Sequence, residues 1–200
     1  TSVAWRNGKD ARNQGQMNLR SRFYPNEEGK QTAEIQLLPS AFTIGEAKWE
    51  IKPALITYSD QQLDINHFAL THQDQHLLIN GRVSNSDNDS IKLSLSGIDV
   101  DYVLNLVNFK SVEFGGKASG DAYLKNPFKQ LSAHAQLQVD EFTFEHGEMG
   151  TLHANVDWNQ EQRRIDIDAV ADDGQEAKTL INGYVEPSPG HIDLAIKAEG

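Results

Sequence analysis

Two histidines at the spacing of a helical metal site are the most chemically suggestive pair in this sequence. His72 and His76 stand four residues apart, as the two ligands do on a zinc-binding helix. The glutamate of that motif is missing, and the flanking residues have the pattern of two strands joined by a turn. Because a turn does not bring residues at this spacing together, we predict a solvated turn here and no metal site.

Closely spaced carboxylates raise the question of acid–base hydrolysis. Such catalysis needs two carboxylates in unlike environments that face one cleft. Asp166 and Asp168 instead share the polar face of one predicted strand, with no apolar wall beside them. The glycine-rich stretch 115–120 lacks the spacing of a phosphate-binding loop and leads into a strand-like segment. No nucleophile elbow is found either. We predict no enzymatic activity, no catalytic residues and no cofactor. The carboxylate pairs are Asp99/Asp101, Glu145/Glu148 and Asp166/Asp168.

Composition narrows the class of partner. The 200 residues hold 18 basic and 29 acidic side chains, a net charge of -11, and no cysteine. The cysteine count excludes disulfide frameworks and thiolate metal sites, and the charge argues against a nucleic-acid partner. No apolar run is long enough for a membrane-spanning helix. The chain starts at Thr1 and stops after an alternating run, so we expect it to be a piece of a longer protein.

Alternation of apolar and polar residues dominates the chain. It is clearest over 131–139, 152–158, 165–171 and 192–198. A period of two is typical of strands with one apolar and one solvated face. Turn segments rich in Asn, Asp, Gly and Pro separate these runs every ~12–15 residues, as in antiparallel meanders. We predict a mainly β fold, an elongated antiparallel sheet of about 12–14 strands.

One segment changes to a helical period. Within residues 99–108 the apolar positions are Val100, Val103, Leu104 and Val107. A helix this short is not stable alone, so its apolar stripe has to pack on the sheet. We predict a short helix that packs on the apolar side of the sheet and caps or plugs it.

Two strands change phase within their length. Between Leu63 and Leu70 the apolar residues move to the other face, and a bulge near Asn66–His67 would restore a common face. Phe142 is out of phase with Val139 in the same way, unless the strand bends near Asp140–Glu141. The alternative is that both faces are covered there.

Four strings of the sequence resemble a known family. They are FALTHQDQHLLING at 68–81, DYVLNLVNFKSVEFGGKASG at 101–120, FTFEHGEMGTLHANVDW at 142–158, and INGYVEP at 181–187. Together, and in this order, they resemble the C-terminal region of the TamB family (translocation and assembly module subunit) in its Bacteroidetes form. The match runs over 42–200 and extends more loosely to the N-terminus.

The resemblance implies a fold and a setting. TamB-like proteins are similar to AsmA-like and bridge-like lipid-transfer proteins, and their sheet curls into a half-closed trough, a β-taco. They are anchored in the inner membrane by an N-terminal helix, absent here, and cross the periplasm of Gram-negative bacteria. Their C-terminal end meets a BamA-like outer-membrane barrel, TamA or a relative. Residues 1–200 are then one β-rich segment, of which 1–41 are less certain strands.

The family role in outer-membrane biogenesis implies that the trough conducts phospholipid between the membranes. An apolar groove is physically suited to this role, because each methylene that it shields from water contributes roughly 0.8 kcal/mol of binding free energy. Such a groove needs no headgroup site. The alternative is that the same side chains form a packed core. The predicted lining residues occupy apolar positions of the alternating runs: Leu93, Leu95, Leu131, Leu137, Val139, Leu152, Val156, Trp158, Ile165, Ile167, Ile181, Leu194 and Ile196.

Two other functions compete with the lipid path. An assembly module would use an exposed strand edge to pair with a barrel or with outer-membrane protein clients by β-augmentation. A carbohydrate-binding or carbohydrate-active domain would need aromatic platforms beside paired carboxylates. Trp5, Trp49 and Trp158 are far apart in sequence, and the last two fall on inward positions, which disfavours that alternative.

Overall fold

The computed structural model of the chain is almost entirely β. The residues that the structure describes form fifteen strands of one antiparallel sheet. The mainly β, antiparallel prediction is therefore confirmed, with one strand more than the upper limit of about fourteen. The structure describes residues 2–6, 14–44, 47–100, 113–174, 178–187 and 191–199.

The strands alternate with short turns along the chain. Their bounds are Ser2–Arg6 (β1), Gln14–Pro25 (β2), Gln31–Leu37 (β3), Ser40–Ile44 (β4), Ala47–Ile51 (β5), Ala54–Ser59 (β6), Gln62–His72 (β7), Gln75–Val83 (β8), Ile91–Asp99 (β9), Phe114–Lys125 (β10), Ser132–Phe144 (β11), Gly147–Asn159 (β12), Arg164–Asp172 (β13), Lys178–Glu186 (β14) and His191–Glu199 (β15).

Strands β3 and β4 behave as two halves of one longer strand. They pair with consecutive stretches of β2, through Leu19 opposite Leu37 and Gln16 opposite Ala41. Pro39 lies between them, and a proline cannot donate a ladder hydrogen bond. The interruption is therefore the expected result of a proline within a strand.

Strands β5 and β6 repeat this arrangement against β7. Ile51 lies opposite Leu70, and Leu55 lies opposite Asn66. Pro53 separates the two halves. The pairing of β4 with β5 keeps the same register as the pairing of β3 with β6. The interrupted strand β3–β4 therefore lies beside the interrupted strand β5–β6, which follows it in the chain. The topology is a meander, as the spacing of turns indicated.

The chain divides into two compact units. They are Thr1–Ser94 with Lys125–Lys129, and Leu95–Leu124 with Gln130–Gly200. That residues 1–200 act as a single segment of a larger protein stays a prediction.

The first unit has one apolar face. Leu37, Ile51 and Ala54 are buried there, and half-buried apolar side chains such as Ile35 and Phe68 pack against them. This cluster follows the alternating positions of the strands, as a one-sided sheet requires.

The opposite face of the first unit carries a charged row. Arg22, Glu34, Thr57, Asp64 and Arg82 lie opposite one another on successive strands. Arg22 contacts Glu34 at 2.8 Å, and this hydrogen bond lowers the pKa of the glutamate. Arg82 binds Asp64 in the same way at the other end of the row. The first unit therefore has one apolar face and one charged face, as the alternation of its sequence predicted.

The predicted bulge in β7 is present, and the predicted bend in β11 is a bulge as well. The register of β7 with β8 shifts between Ile65 and Phe68, where His67 has φ of 54°. The register of β11 with β12 shifts between Val139 and Phe142, where Glu141 has φ of 52°. Each bulge adds one residue and so returns the following apolar side chains to the same face.

The predicted helix lies mostly outside the described residues. Asp99 is the last residue of β9, so the strand runs one residue into the predicted helix. Val100 has helical backbone geometry and packs against the apolar cluster of the second unit. Residues 101–112, with Val103, Leu104 and Val107, lie outside the described part of the chain, and the rest of this helix stays a prediction.

Gly81 provides a test of the close strand packing in the first unit. Its φ is 128°, and a Cβ there would overlap the carbonyl oxygen of Ser90. We expect Gly81→Ala to lower the free energy of unfolding by about 3 kcal/mol, measured by urea denaturation. Gly29→Ala is the control, because Gly29 has φ of 77° but nothing within 4 Å, and it should cost only about 1 kcal/mol. Equal losses at both glycines would contradict the steric explanation.

Candidate functional site

The register of the last five strands builds an apolar row across the second unit. Leu137, Ala154, Ala169, Ile181 and Ile196 lie directly opposite one another on β11 to β15. Directly opposed residues point to the same side of a sheet. We call this side of β11–β15 the lining face and the other side the outer face.

Most of the predicted lining residues share the lining face. They lie in the central row or in rows an even number of residues away, and therefore point to the same side. Those that the register of β11–β15 places there are Leu137, Val139, Leu152, Val156, Trp158, Ile165, Ile167, Ile181, Leu194 and Ile196.

The remaining three predicted residues lie elsewhere. Leu93 and Leu95 are half-buried residues of β9, and Leu131 is half-buried directly before β11. Gly97, further along β9, has φ of 61°, and the next residue, Ile98, is buried. Ile98 is thus out of phase with Leu93 and Leu95, which the alternation did not predict.

Exposure changes across the lining face. Val139 and Ile181 are 6% and 5% exposed, whereas Ile196 is 42% exposed. The other predicted residues of this face are half-buried. The two alternatives raised by the sequence, a packed core and an open surface, therefore both occur on one face.

Aromatic side chains cover one end of the lining face, which we call the closed end. The ring of Phe114 lies 6.1 Å from that of Phe142 and 5.5 Å from that of Phe144. Phe142 is 3% exposed and belongs to the same buried cluster as Ala169 and Ala171. This end of the face is a true hydrophobic core.

The opposite end, which we call the open end, lies toward the turn between β12 and β13. Trp158, Ile165, Val185 and Ile192 form its row, and all four are half-buried. The indole Nε1 of Trp158 donates to Oε1 of Gln160 at 2.9 Å, which orients its polar edge toward the turn. The open end therefore combines apolar surface with a solvated rim.

The outer face is polar and acidic. His134, Asp157, Asp166, Tyr184 and Asp193 lie in one row across β11–β15. Nδ1 of His134 lies 2.8 Å from a carboxylate oxygen of Asp157. This contact joins neighbouring side chains of one row on the solvated face of the sheet.

Asp166 is held in its charged form. Asn159 donates to its carboxylate at 2.9 Å, and this is the main reason that its pKa is lowered from 3.8. Arg164 adds a second hydrogen bond at 2.6 Å. The carboxylate therefore stabilises the turn between β12 and β13 rather than an acid–base site.

The prediction of a solvated turn at the histidine pair is wrong in its placement. The turn contains only Gln73 and Asp74, while His72 ends β7 and His76 lies in β8. His72 is half-buried, and its ring lies 5.5 Å from that of Trp49. Gln75 is opposite His72, so His76 points to the other face of the hairpin.

A group of metal ligands or a membrane-spanning helix in the described part of the chain would suggest another function. Among those residues, no three His, Asp or Glu side chains are grouped as metal ligands. No helix within the same residues is both long enough and apolar enough to cross a membrane.

A short repeat was overlooked in the sequence pattern. The string L-I-N-G-x-V occurs at 78–83 and again at 180–185. Ile79 and Ile181 occupy equivalent positions, each two residues before a glycine on an apolar face. The repeat places one copy in each unit, and a search for internal identity would have found it.

Comparison with known proteins identifies no relative. No family model matches the chain, and no curated protein or solved structure is significantly similar to it. The resemblance to the TamB family therefore stays a prediction from the quoted segments.

The exposure gradient predicts unequal tolerance of charge on the lining face. Ile181 and Ile196 lie opposite each other, so their substitution by aspartate compares a covered with an uncovered position in one row. Ile181→Asp should lower the free energy of unfolding by about 4 kcal/mol, because an unpaired carboxylate enters the core. Ile196→Asp should cost less than about 1 kcal/mol in the same denaturation experiment. Similar losses for both would show that the face is a core throughout.

The hydrogen bonds of Asp166 predict how the stability of the fold depends on pH. A lowered folded-state pKa stabilises the fold above the usual pKa of 3.8, and this stability is lost as pH falls through the lowered value. Asn159→Ala removes the main donor, so the pKa of Asp166 should rise, measured by NMR titration of its carboxyl carbon. Gln162→Ala is the control, because only its backbone nitrogen bonds to Asn159. An unchanged Asp166 titration in Asn159→Ala would refute this assignment.

Proposed function

We propose that this chain is a segment of a TamB-like periplasmic protein whose lining face conducts phospholipid acyl chains between the inner and outer membranes. The observation that supports this most is the continuous apolar face across β11–β15, which stays partly uncovered in the described residues. Ile196 is 42% exposed in its central row. Surface of this kind on a soluble sheet indicates a binding site.

The energetics suit an alkyl chain better than a polar ligand. Val156, Ile165, Ile167 and Leu194 present half-buried aliphatic surface side by side. Covering such surface yields roughly 25 cal/mol per Å² of apolar area, whatever the headgroup. An acyl chain can therefore bind in several positions along the rows, which a conducting surface requires.

The closed end limits the extent of the proposed path. Val139 and Ile181 contact Phe142 and its neighbours and are not available to a ligand. The acyl chain therefore lies over the open end, between Trp158 and the central row. Of the predicted lining residues on this face, only the half-buried ones and Ile196 are then available to a ligand.

The first unit supports the same function independently. Phe23, Ala33 and Tyr58 lie opposite one another on its apolar side, in one row with Leu63 and Val83. Phe23 is 75% exposed and Tyr58 is 44% exposed, whereas Val83 is fully buried. Each unit thus combines a covered part with an uncovered apolar part, as expected for repeating segments of a lipid path.

The outer face is unfavourable for lipid headgroups. Its aspartates, together with a net charge of -11, disfavour contact with anionic headgroups on that side. The lipid then touches the protein only through its chains. The barrel partner, the periplasmic location and the inner-membrane anchor of the parent protein belong to this proposal through the family resemblance alone.

The tryptophans do not support the carbohydrate alternative. Trp49 is 5% exposed, and Trp158 is half-buried among aliphatic residues of the lining face. A sugar platform needs an exposed ring face beside hydrogen-bonding carboxylates, whereas Asp157, Asp166 and Asp193 lie on the outer face. Both observations favour the lipid path over the carbohydrate alternative.

Val156 and Asn155 offer a matched test, because they are neighbours in β12 that point to opposite faces. A photo-crosslinking residue at 156 should form lipid adducts in the bacterial envelope, detected by mass spectrometry, and one at 155 should form none. Val156→Asp should remove co-purifying phospholipid by at least about tenfold without unfolding the chain. Asn155→Asp adds the same charge on the outer face and should leave the lipid bound. A folded chain with neither adducts nor bound lipid would overturn the proposal.

A further inference from the structure

Three neighbouring strands of the first unit are interrupted along one line across the sheet. Residues 38–39 separate β3 from β4, residues 52–53 separate β5 from β6, and β7 bulges between Ile65 and Phe68. The strands pair with one another on both sides of these sites, so the three interruptions lie side by side. We call this line, made of residues 38–39, 52–53 and 66–67, the crease.

Each of the three strands loses a donor of the backbone ladder at the crease. Pro39 and Pro53 have no N–H group, and a proline ring holds φ at about −65°, away from the values of a regular strand. In the bulge, the N–H of His67 donates to the side-chain oxygen Oδ1 of Asn80 at 3.0 Å, and its φ is 54°. The ladder is therefore weakened at the same place in all three strands.

Polar side chains of the bordering strands bond to the backbone at the crease. On β2, Nδ2 of Asn18 donates to the carbonyl oxygen of Pro39 at 3.1 Å, and the N–H of Asn18 donates to Oγ of Ser40 at 2.8 Å. On β8, Asn80 holds the bulge. Such bonds satisfy backbone polar groups without imposing the spacing of a regular ladder, because side-chain torsion angles can follow a change in the backbone.

We propose that the crease is a hinge, about which the two halves of the sheet in the first unit change their angle. One half contains β3 and β6, and the other contains β4 and β5. A hinge needs a few residues that absorb the change in backbone angles between elements that stay rigid. The crease provides such residues, and the ladders on either side of it provide the rigid elements.

Each half keeps its own pairs of apolar residues. Leu37 lies opposite Leu19 and Ala54 in one half, and Ile51 lies opposite Leu70 in the other. These cross-strand pairs stay together when the halves change their angle. The buried cluster has members from both halves, so the motion changes how much of its apolar surface is covered. The hinge depends on the backbone and not on the proposed lipid path, so either can fail without the other.

Distances across the crease test the hinge directly. The chain has no cysteine, so two introduced cysteines carry spin labels at defined sites. Gln31 and Lys48 are exposed and lie on opposite sides of the crease, in β3 and β5. The chain with Gln31→Cys and Lys48→Cys should give a distance distribution, measured by pulsed electron paramagnetic resonance, at least about twice as broad as the same labels give with Pro39→Val and Pro53→Val. Valine restores the ladder donors and favours an extended strand.

Two further variants separate the crease from a general effect of substitution. Pro127→Val replaces a proline of the turn after β10 and should leave the distribution unchanged. Asn80→Ala removes the acceptor of the His67 N–H and should broaden the distribution further. An effect of Pro127→Val equal to that of the two crease prolines would contradict the proposal.

Amide hydrogen exchange of the unlabelled chain gives a second measurement that needs no variant. The N–H groups of Leu38 and Lys52 donate to backbone carbonyls next to the crease. They should exchange at least about tenfold faster than the paired N–H groups in the middle of β3 and β6, because local opening is easiest where the ladder is weakest. Exchange as slow as in those strands, or a single narrow distance in the native chain, would show that the crease is a fixed bend and would overturn the proposal.

Discussion

The structure depends on one constraint, that residues directly opposite each other in an antiparallel sheet must point to the same side. A shift of one residue in any strand would send its apolar side chains into water. The bulges at His67 and Glu141 are therefore as important as the regular pairing. Each corrects a change of phase in its strand, so that Phe68 and Phe142 rejoin their apolar faces. The charged outer rows and the apolar lining rows both follow from this single rule.

Much of this arrangement could be predicted, because alternation and turn composition are local properties of the sequence. The strands, the meander, both bulges and the shared face of residues such as Ile167 and Ile181 follow from it. The histidine turn was misplaced because two residues suffice to join β7 and β8, and a tight hairpin leaves His72 within its strand. The phase change near Gly97, where φ is positive, was not predicted, although the apolar Ile98 is visibly out of phase with Leu95 in the sequence.

The division of the lining face into a closed and an open end could not be predicted from the sequence. It results from side chains that are distant along the chain, such as Phe114 against Phe142. Alternation tells which side of a strand a residue faces, but not whether another side chain lies above it. Val139 and Val156 have the same local pattern, yet only Val139 is buried. The function proposed here depends on that difference.

The meander also bears on how the chain folds and unfolds. Each strand from β11 to β15 pairs with its predecessor in sequence, so every hairpin closes a short loop and needs no distant partner. Such an arrangement resembles a one-dimensional chain of coupled units, in which order spreads from a nucleus to its neighbours. The cluster around Ala169 and Phe142 is the natural nucleus, because it contains the best-covered side chains of its unit. Amide hydrogen exchange should then be slowest in the strands that hold this cluster.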